Sequence, residues 1–475
     1  MRRVGGLLVS VTAFWAVSCA VGPAYTPPVV AAVPPAYKEP GDWMAARPDD
    51  HAIRGKWWET FGDPRLNALE AQLTVSSQTL KAAQAQFLQA RTLVRTARAA
   101  QLPQVGASAL AGEYENSDNK PLRNKSSDRR YGDVVLRGDV AWELDVWGRV
   151  AKGVESSVAT AQASAADLEA VNLSLHAELA LDFFQLCGLD AEKQILDQAV
   201  GSYDRALALT RRRLAGGVAS GVDVAQAETQ LETAHVQAID VQVRRAQFEH
   251  AIAALIGKPA SDFSVPVTPL DLPAPLVPAG LPADVLQRRP DIAGAERRVA
   301  AANAQVGIAE AAFYPVLALT GSAGFESASL GDWLKLASNF WSVAAAAAVT
   351  VFDGGKRRAA SDSAKAGRER AIAQYQDAVL TAFREVEDNL AALRILADEA
   401  RVQAAAVAAA DRLLTLATNR YRGGVTTYLE VATAQSAALT NRRAAVTLLS
   451  RRLTASVLLV KALGGGWSID RLPAF

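Results

Sequence analysis

The chain repeats itself. Arg213, Gly217, Val218 and Ala225 recur 207 residues later as Arg420, Gly424, Val425 and Ala432. The same offset carries Gly148 onto Gly355, Glu178 onto Glu385, Arg244-Arg245 onto Arg451-Arg452 and Gly257 onto Gly464. Upstream the offset is 212, taking Leu69 to Leu281, Ala83 to Ala295, Val94 to Val306 and Pro103 to Pro315. A period this long means two copies of one unit, so whatever the first half builds the second must build again. The five-residue change of offset falls between Pro103 and Gly148. Seven prolines between Lys258 and Pro282 exclude a helix there and mark the link between repeats. Residues 57–257 form the first repeat, 258–282 the linker, 283–464 the second repeat and 465–475 a tail.

Each repeat predicts very long helices. From Arg368 to Arg422 there is neither Gly nor Pro, and 55 residues at 1.5 Å per residue would run about 80 Å. Ile372, Tyr375, Val379, Phe383, Val386, Leu390 and Leu393 follow the three-and-four spacing of a coiled-coil seam, continued by Ala397, Ala400 and Ala404. Gly423-Gly424 interrupts the run, and Val425 to Leu463 is again free of both breakers, which predicts a helical hairpin. Gly216-Gly217 does the same in the first repeat.

Between the helices the period changes to two. Val134, Leu136, Gly138, Val140, Trp142, Leu144 and Val146 alternate with Val135, Arg137, Asp139, Ala141, Glu143 and Asp145. Trp341 to Val351, Leu317 to Phe325 and, more weakly, Gln104 to Tyr114 read the same way, giving four candidate strands. Thirteen tilted residues span roughly 30 Å, enough to cross a bilayer core. Four strands cannot close a barrel, and open edges in lipid leave backbone groups unpaired. Other copies must complete it, in a cyclic oligomer. Asp139, Glu143 and Asp145 are expected to face the watery lumen, and Trp142 and Trp341 the interfacial belts.

The amino terminus reads as a secretory signal over residues 1–18: Arg2-Arg3, an apolar run from Val4 to Val17, then Ala16-Val17-Ser18-Cys19, which resembles a lipobox with Cys19 as the lipidated residue. Residues 19–56 would be a lipid-anchored extended segment. Cys187 sits in an apolar helical stretch and reads as a buried small hydrophobe. Lys+Arg 50 against Asp+Glu 49 leaves +1, so nothing draws the chain as a whole to nucleic acid. His51, His176, His235 and His250 show no ligand spacing, so no metal or other cofactor is assigned. No constellation supports an enzyme.

Cys19 with Gly22-Pro23 and Tyr25, then Trp57-Trp58, Phe61, Asp63-Pro64, Leu66 and Leu69, resemble the amino-terminal signature of the TolC-like outer-membrane factors of bacterial efflux pumps, in their OprM/NodT-type lipoprotein branch. Arg289-Pro290-Asp291-Ile292, Ala295-Glu296, Ala301-Ala302, Gly307-Ile308, Phe313-Tyr314-Pro315, Asp145 to Arg149, Phe352 to Gly355 and Leu463-Gly464 with Trp467 are similar to further blocks of that family. The resemblance implies an α+β membrane protein of coiled-coil hairpins and four transmembrane strands per chain. It also implies a homotrimer in the outer membrane, with a twelve-stranded β-barrel continuous with a twelve-helix periplasmic tunnel. Its implied partners are a periplasmic adaptor and an inner-membrane transporter of the resistance-nodulation-division type.

The hairpin tips, Arg213 to Asp223 and Arg420 to Glu430, then become the closed periplasmic entrance. Asp223 and Glu430 lie six residues beyond Gly217 and Gly424, where threefold symmetry would gather carboxylates into a cation-selective constriction beside Tyr421, which resembles the family's gate tyrosine. Thr426 and Thr433 depart from the family pattern at the gate, so its bonds cannot be carried over. Gly217, Val218, Ala219 and Ser220, with Gly424, Val425, Thr426 and Thr427, are the expected adaptor contacts, because glycine lets another backbone approach. The two arginine pairs, 244-245 and 451-452, are expected to be solvated or to bridge subunits. The function expected is a passive exit duct for small toxic compounds. Metal-ion efflux or type I protein secretion through the same duct, and a non-channel coiled-coil lipoprotein, are the alternatives.

Overall fold

The computed structural model describes residues 21–29, 34–39, 55–119, 121, 128–268, 270, 275 and 282–475. The signal segment 1–18 and Cys19 lie outside the described residues, as do His51 and much of the linker.

The duplication holds to the residue in the long helices, while the first short helix and the second strand of each repeat differ in length. Helices α1 (Pro64–Ser76) and α2 (Gln78–Ala99) lead into strands β1 (Gln104–Glu115) and β2 (Arg130–Leu144), followed by α3 (Arg149–Ala215) and α4 (Gly221–Leu255). The second repeat runs α5 (Pro282–Arg288), α6 (Pro290–Ala311), β3 (Val316–Ser327), β4 (Asn339–Ala348), α7 (Lys356–Arg422) and α8 (Tyr428–Ala462). Helices α3 and α7 are each 67 residues, about 100 Å. They are longer than the breaker-free run predicted, because α7 passes through Gly367 and begins at Lys356. An isolated helix glycine costs only about 1 kcal/mol, which flanking turns absorb.

Along α7 the buried residues Tyr375, Val379, Val386 and Leu390 follow the predicted seam. Below Leu390 the prediction fails: Ala397 and Ala404 are exposed, and the buried line passes instead through Leu396, Ala410 and Ala417. Alanine alone carries too little apolar surface to fix which face of a helix turns inward.

The four strands make one antiparallel sheet in the order β1-β2-β3-β4. Its register aligns Val105 with Val140, Val140 with Gly321 and Gly321 with Val343, so the apolar face is continuous across the sheet. Strand β2 begins earlier than its alternation announced and ends at Leu144, leaving Val146 outside; β4 likewise stops short of Val349 and Val351. The outer edges of β1 and β4 have no strand partner within the described chain.

A belt of smaller elements surrounds the middle of the long helices. A single 3-10 turn, Trp57–Phe61, buries its aromatic side chains against Phe184 and His176 on α3. Asp63 caps α1, accepting from the N–H groups of Arg65 and Leu66. Gly257 and Gly464 end α4 and α8 with positive φ, and each presses on the final carbonyl of the preceding short helix, Ser76 or Arg288. That close approach accounts for the sequence match at these two positions.

The segment from Val21 starts at the first repeat and runs along α6 of the second. Val21 N–H donates to the Trp147 carbonyl at 3.1 Å, Asn303 donates to the Pro23 carbonyl, and the Tyr25 hydroxyl donates to Glu296. Gly22, at φ +112°, crosses Gly307 so closely that a Cβ would stand 2.5 Å from its Cα.

Candidate functional site at the hairpin tips and the channel wall

Both hairpins turn by the same device. After α3, Val218 N–H bonds the Arg213 carbonyl and Gly217 N–H the Leu214 carbonyl; after α7, Val425 and Gly424 bond Arg420 and Tyr421 in the same way. This double closure requires the left-handed conformation that Gly217 (φ +72°) and Gly424 (φ +79°) supply. Each glycine is thus required by the turn itself. The exposed surface of the tips comes from Val218 and Val425, 68% and 69% exposed.

Asp223 forms a capping box with Ser220: the Ser220 N–H and hydroxyl both donate to its carboxylate, and its own N–H donates back to the Ser220 hydroxyl. The Ser220 N–H chiefly holds this carboxyl below the usual range, with Arg213 adding a favourable charge. Its other oxygen accepts from Tyr428 N–H at 3.4 Å, on the second hairpin. Glu430 pairs with Arg420 at 3.2 Å and accepts from the Thr426 hydroxyl. Thr433 turns back to the Leu429 carbonyl of its own helix. Ser220 therefore serves as a helix cap, and Thr427 occupies the matching position without a side-chain cap bond. Ala219 N–H joins the turn through Arg213.

Tyr421 is buried, its hydroxyl donating to Thr210 on α3 at 3.0 Å and its ring edge-on to Tyr428. Arg213 is the residue that sequence reasoning did not single out as a site. Its guanidinium lies 4.5 Å from the Tyr421 ring centroid and donates to the Tyr421 carbonyl. The repeat equates Arg213 with Arg420, yet the two act differently: Arg420 stays within its own hairpin, while Arg213 crosses to the other. Together with the Asp223 to Tyr428 and Tyr421 to Thr210 bonds, it fastens the two tips of one chain.

On the wall, Asp139 and Glu143 share one face of β2 with Arg137. Asp139 pairs with Arg137 at 3.1 Å, and Glu143 with Arg149 at 2.6 Å. Asp145 is a correction: it lies beyond the strand and caps α3, its two oxygens accepting from Val150 and Ala151 at 2.9 and 2.7 Å. A carboxylate at a helix start is held there by unpaired N–H groups, which outweighs the strand alternation. Trp142 lies near the end of β2 and donates to the Gln101 carbonyl, while Trp341, near the start of β4, is level across the register with Ala323 and Gly138. Three of the four arginines in the two pairs are engaged within the chain: Arg244 with Glu192, Arg245 with Asp190 and Glu249, and Arg451 with Glu399. Cys187 is buried, and burial pushes its thiol up to about 12.

The sequence profile of the family described as outer membrane efflux protein matches residues 69–258 and 281–465, and the chain belongs to that family. The pyoverdine export outer membrane protein OpmQ of Pseudomonas aeruginosa is 32% identical over 444 residues, covering 91% of this chain and 92% of that protein. The toluene efflux pump outer membrane protein TtgC of Pseudomonas putida is 32% identical over 472 residues, covering 97% and 95%. Among solved structures, the outer-membrane channel OprN superposes with a TM-score of 0.86 at 31% identity, over 94% of this chain and 100% of that one. The chain is thus an outer-membrane component of an efflux system, in a family of passive channels. Its expected fold class stands.

Proposed function

We propose that three copies of the chain close a twelve-stranded barrel over a twelve-helix tunnel and pass small compounds outward without chemistry of their own. The observation that carries this is the sheet: four strands with one continuous apolar face and two unpaired edges, which in lipid would each leave a row of unsatisfied backbone groups. A periplasmic adaptor docks at the tips around Val218 and Val425, and an inner-membrane pump of the resistance-nodulation-division type drives transport. The pump selects the cargo: relatives equally similar to this chain carry the names of pyoverdine export and toluene efflux.

Electron microscopy of the detergent-extracted protein tests the duct, with a threefold hollow cylinder as the expected particle. A monomer or a solid rod would overturn it. Anchoring by lipid on Cys19 is supported by the bond from Val21 to the turn at Trp147, at the base of the sheet. Two extended residues reach only about 7 Å, so an acyl chain there would meet the inner leaflet. Radiolabelled palmitate is expected in the wild-type protein and absent from Cys19→Ser; label that persists in the variant would refute the assignment.

A further inference from the structure

We propose that three arginines on α2, just below the sheet, hold the phosphate of an anionic phospholipid from the inner leaflet of the outer membrane. The site rests on the duct reading and on the Cys19 anchor, which together set its level and the outer side of the wall.

Helix α2 contains Lys81, Arg91, Arg95 and Arg98 and no acidic residue, in a chain whose charges sum to only +1. At about 100° per residue, Arg91, Arg95 and Arg98 fall within roughly 60° of arc and climb about 10 Å towards the start of β1. All three are exposed. Among the described residues none of them meets a carboxylate, and Arg95 reaches only the Thr92 hydroxyl of its own helix, at 3.5 Å.

The second repeat shows what the same face does on α6. Moved forward by 212, the three positions become Asn303, Gly307 and Glu310. Asn303 donates to the Pro23 carbonyl at 3.0 Å, Gly307 is crossed by Gly22, and Glu310 pairs with Lys365 at 3.5 Å. That face of α6 is the one covered by the segment that follows Cys19, on the outside of the wall. On α2 the matching face is uncovered among the described residues, and three guanidinium groups stand where α6 has an amide, a glycine and a carboxylate. Cys19 precedes Gly22 by three residues, an extended reach of about 10 Å. An acyl chain on Cys19 therefore brings the headgroups of the inner leaflet close to the level of Gly307, and so of Arg95.

Above Arg98 the surface changes character. Leu102 and Val105 are 65% and 77% exposed, and Val105 belongs to the apolar face of the sheet. Trp142, on that same face, donates its indole N–H to the Gln101 carbonyl at 3.0 Å. Aliphatic side chains, then an indole, then a cluster of cations follow the order of a phospholipid from tail to headgroup. A guanidinium fork matches two phosphate oxygens, and the bare leucine and valine take the acyl chain. A lipid satisfies both parts, whereas free phosphate or an acidic protein would satisfy only the cations.

Native mass spectrometry of the full-length protein, extracted from membranes and supplied with phosphatidylglycerol or phosphatidylcholine, tests the site. The wild-type trimer is expected to retain phosphatidylglycerol in preference to phosphatidylcholine. Arg91→Gln combined with Arg95→Gln and Arg98→Gln is expected to hold phosphatidylglycerol roughly tenfold less tightly. Lysine at the same three positions keeps the charge and should keep most of the retention. Arg205→Gln with Arg212→Gln and Arg412→Gln, which removes the same charge from the lower shafts, should leave it unchanged. Undiminished retention in the α2 glutamine variant, an equal loss in the lower-shaft variant, or a wild-type trimer without preference between the two lipids would overturn the site while the spectra still show an acylated trimer. A monomer, or a trimer lacking the acyl mass on Cys19, would overturn the duct or the anchor reading, and the placement of these arginines with it.

Discussion

Glu70 on α1 and His176 on α3 are both buried and joined at 2.5 Å, with the Trp58 ring stacked on the imidazole at 4.3 Å. Burial raises the Glu70 carboxyl to about 9 and depresses the His176 imidazole to about 4, so between those values the pair carries one proton, on the carboxyl. An unfolded chain, with ordinary values of 4.5 and 6.5, carries two protons below 4.5, one between 4.5 and 6.5 and none above. From 6.5 to 9 the folded pair therefore holds a proton that the unfolded chain has released, and stability must fall as pH rises through that window. Thermal melts of the extracted protein are expected to show this alkaline decline, and Glu70→Gln, which keeps a neutral hydrogen-bonding group, should flatten it. An unchanged slope in the variant would place the proton elsewhere. Neither residue announced itself in the sequence, since nothing in local spacing signals a pair 106 positions apart. By contrast, Gly22 and Gly307 appeared as motif positions, and their crossing explains why Gly22 must lack a side chain.

The hairpins were legible as elements because two glycines interrupt long alanine-rich runs. What the sequence concealed was how the two tips are joined. Arg213 looked like one half of a repeat match, and only the folded chain shows it crossing to Tyr421 while its counterpart Arg420 stays at home. Asp223 and Glu430 likewise hold local posts as helix-start acids. An arginine donating to a buried carbonyl while covering an aromatic ring contributes about 1–3 kcal/mol. Losing it should free the first hairpin from the second. Arg213→Ala is expected to raise single-channel conductance several-fold in planar bilayers, while Val218→Asp with Val425→Asp should leave conductance unchanged and abolish capture of the adaptor. Conductance unaltered by the first change would remove Arg213 from the gate, and adaptor retention by the second would move docking away from the tips. Substitution at Gly424 makes a poorer probe, because a Cβ there strains the turn and stands 3.3 Å from the Arg213 guanidinium.

At the scale of the whole molecule, the duplication, the four strands and the long hairpins were all legible, because each depends on patterns extended over tens of residues. Strand ends and the lower seam of α7 were not, because a short turn or an alanine-rich face leaves the choice to tertiary packing. Helices α3 and α7 match in length to the residue, as do α4 and α8, whereas the connections between paired strands differ in length between the two halves. That contrast limits how such a chain can change over time. One residue gained or lost within α7 would rotate everything below it by about 100°, turning its buried line through Leu396, Ala410 and Ala417 away from α8 while α3 kept its place. Drift in length is therefore free in the outer loops and forbidden in the shafts unless both repeats change together, so insertions among descendants of this gene should collect at one end of the cylinder.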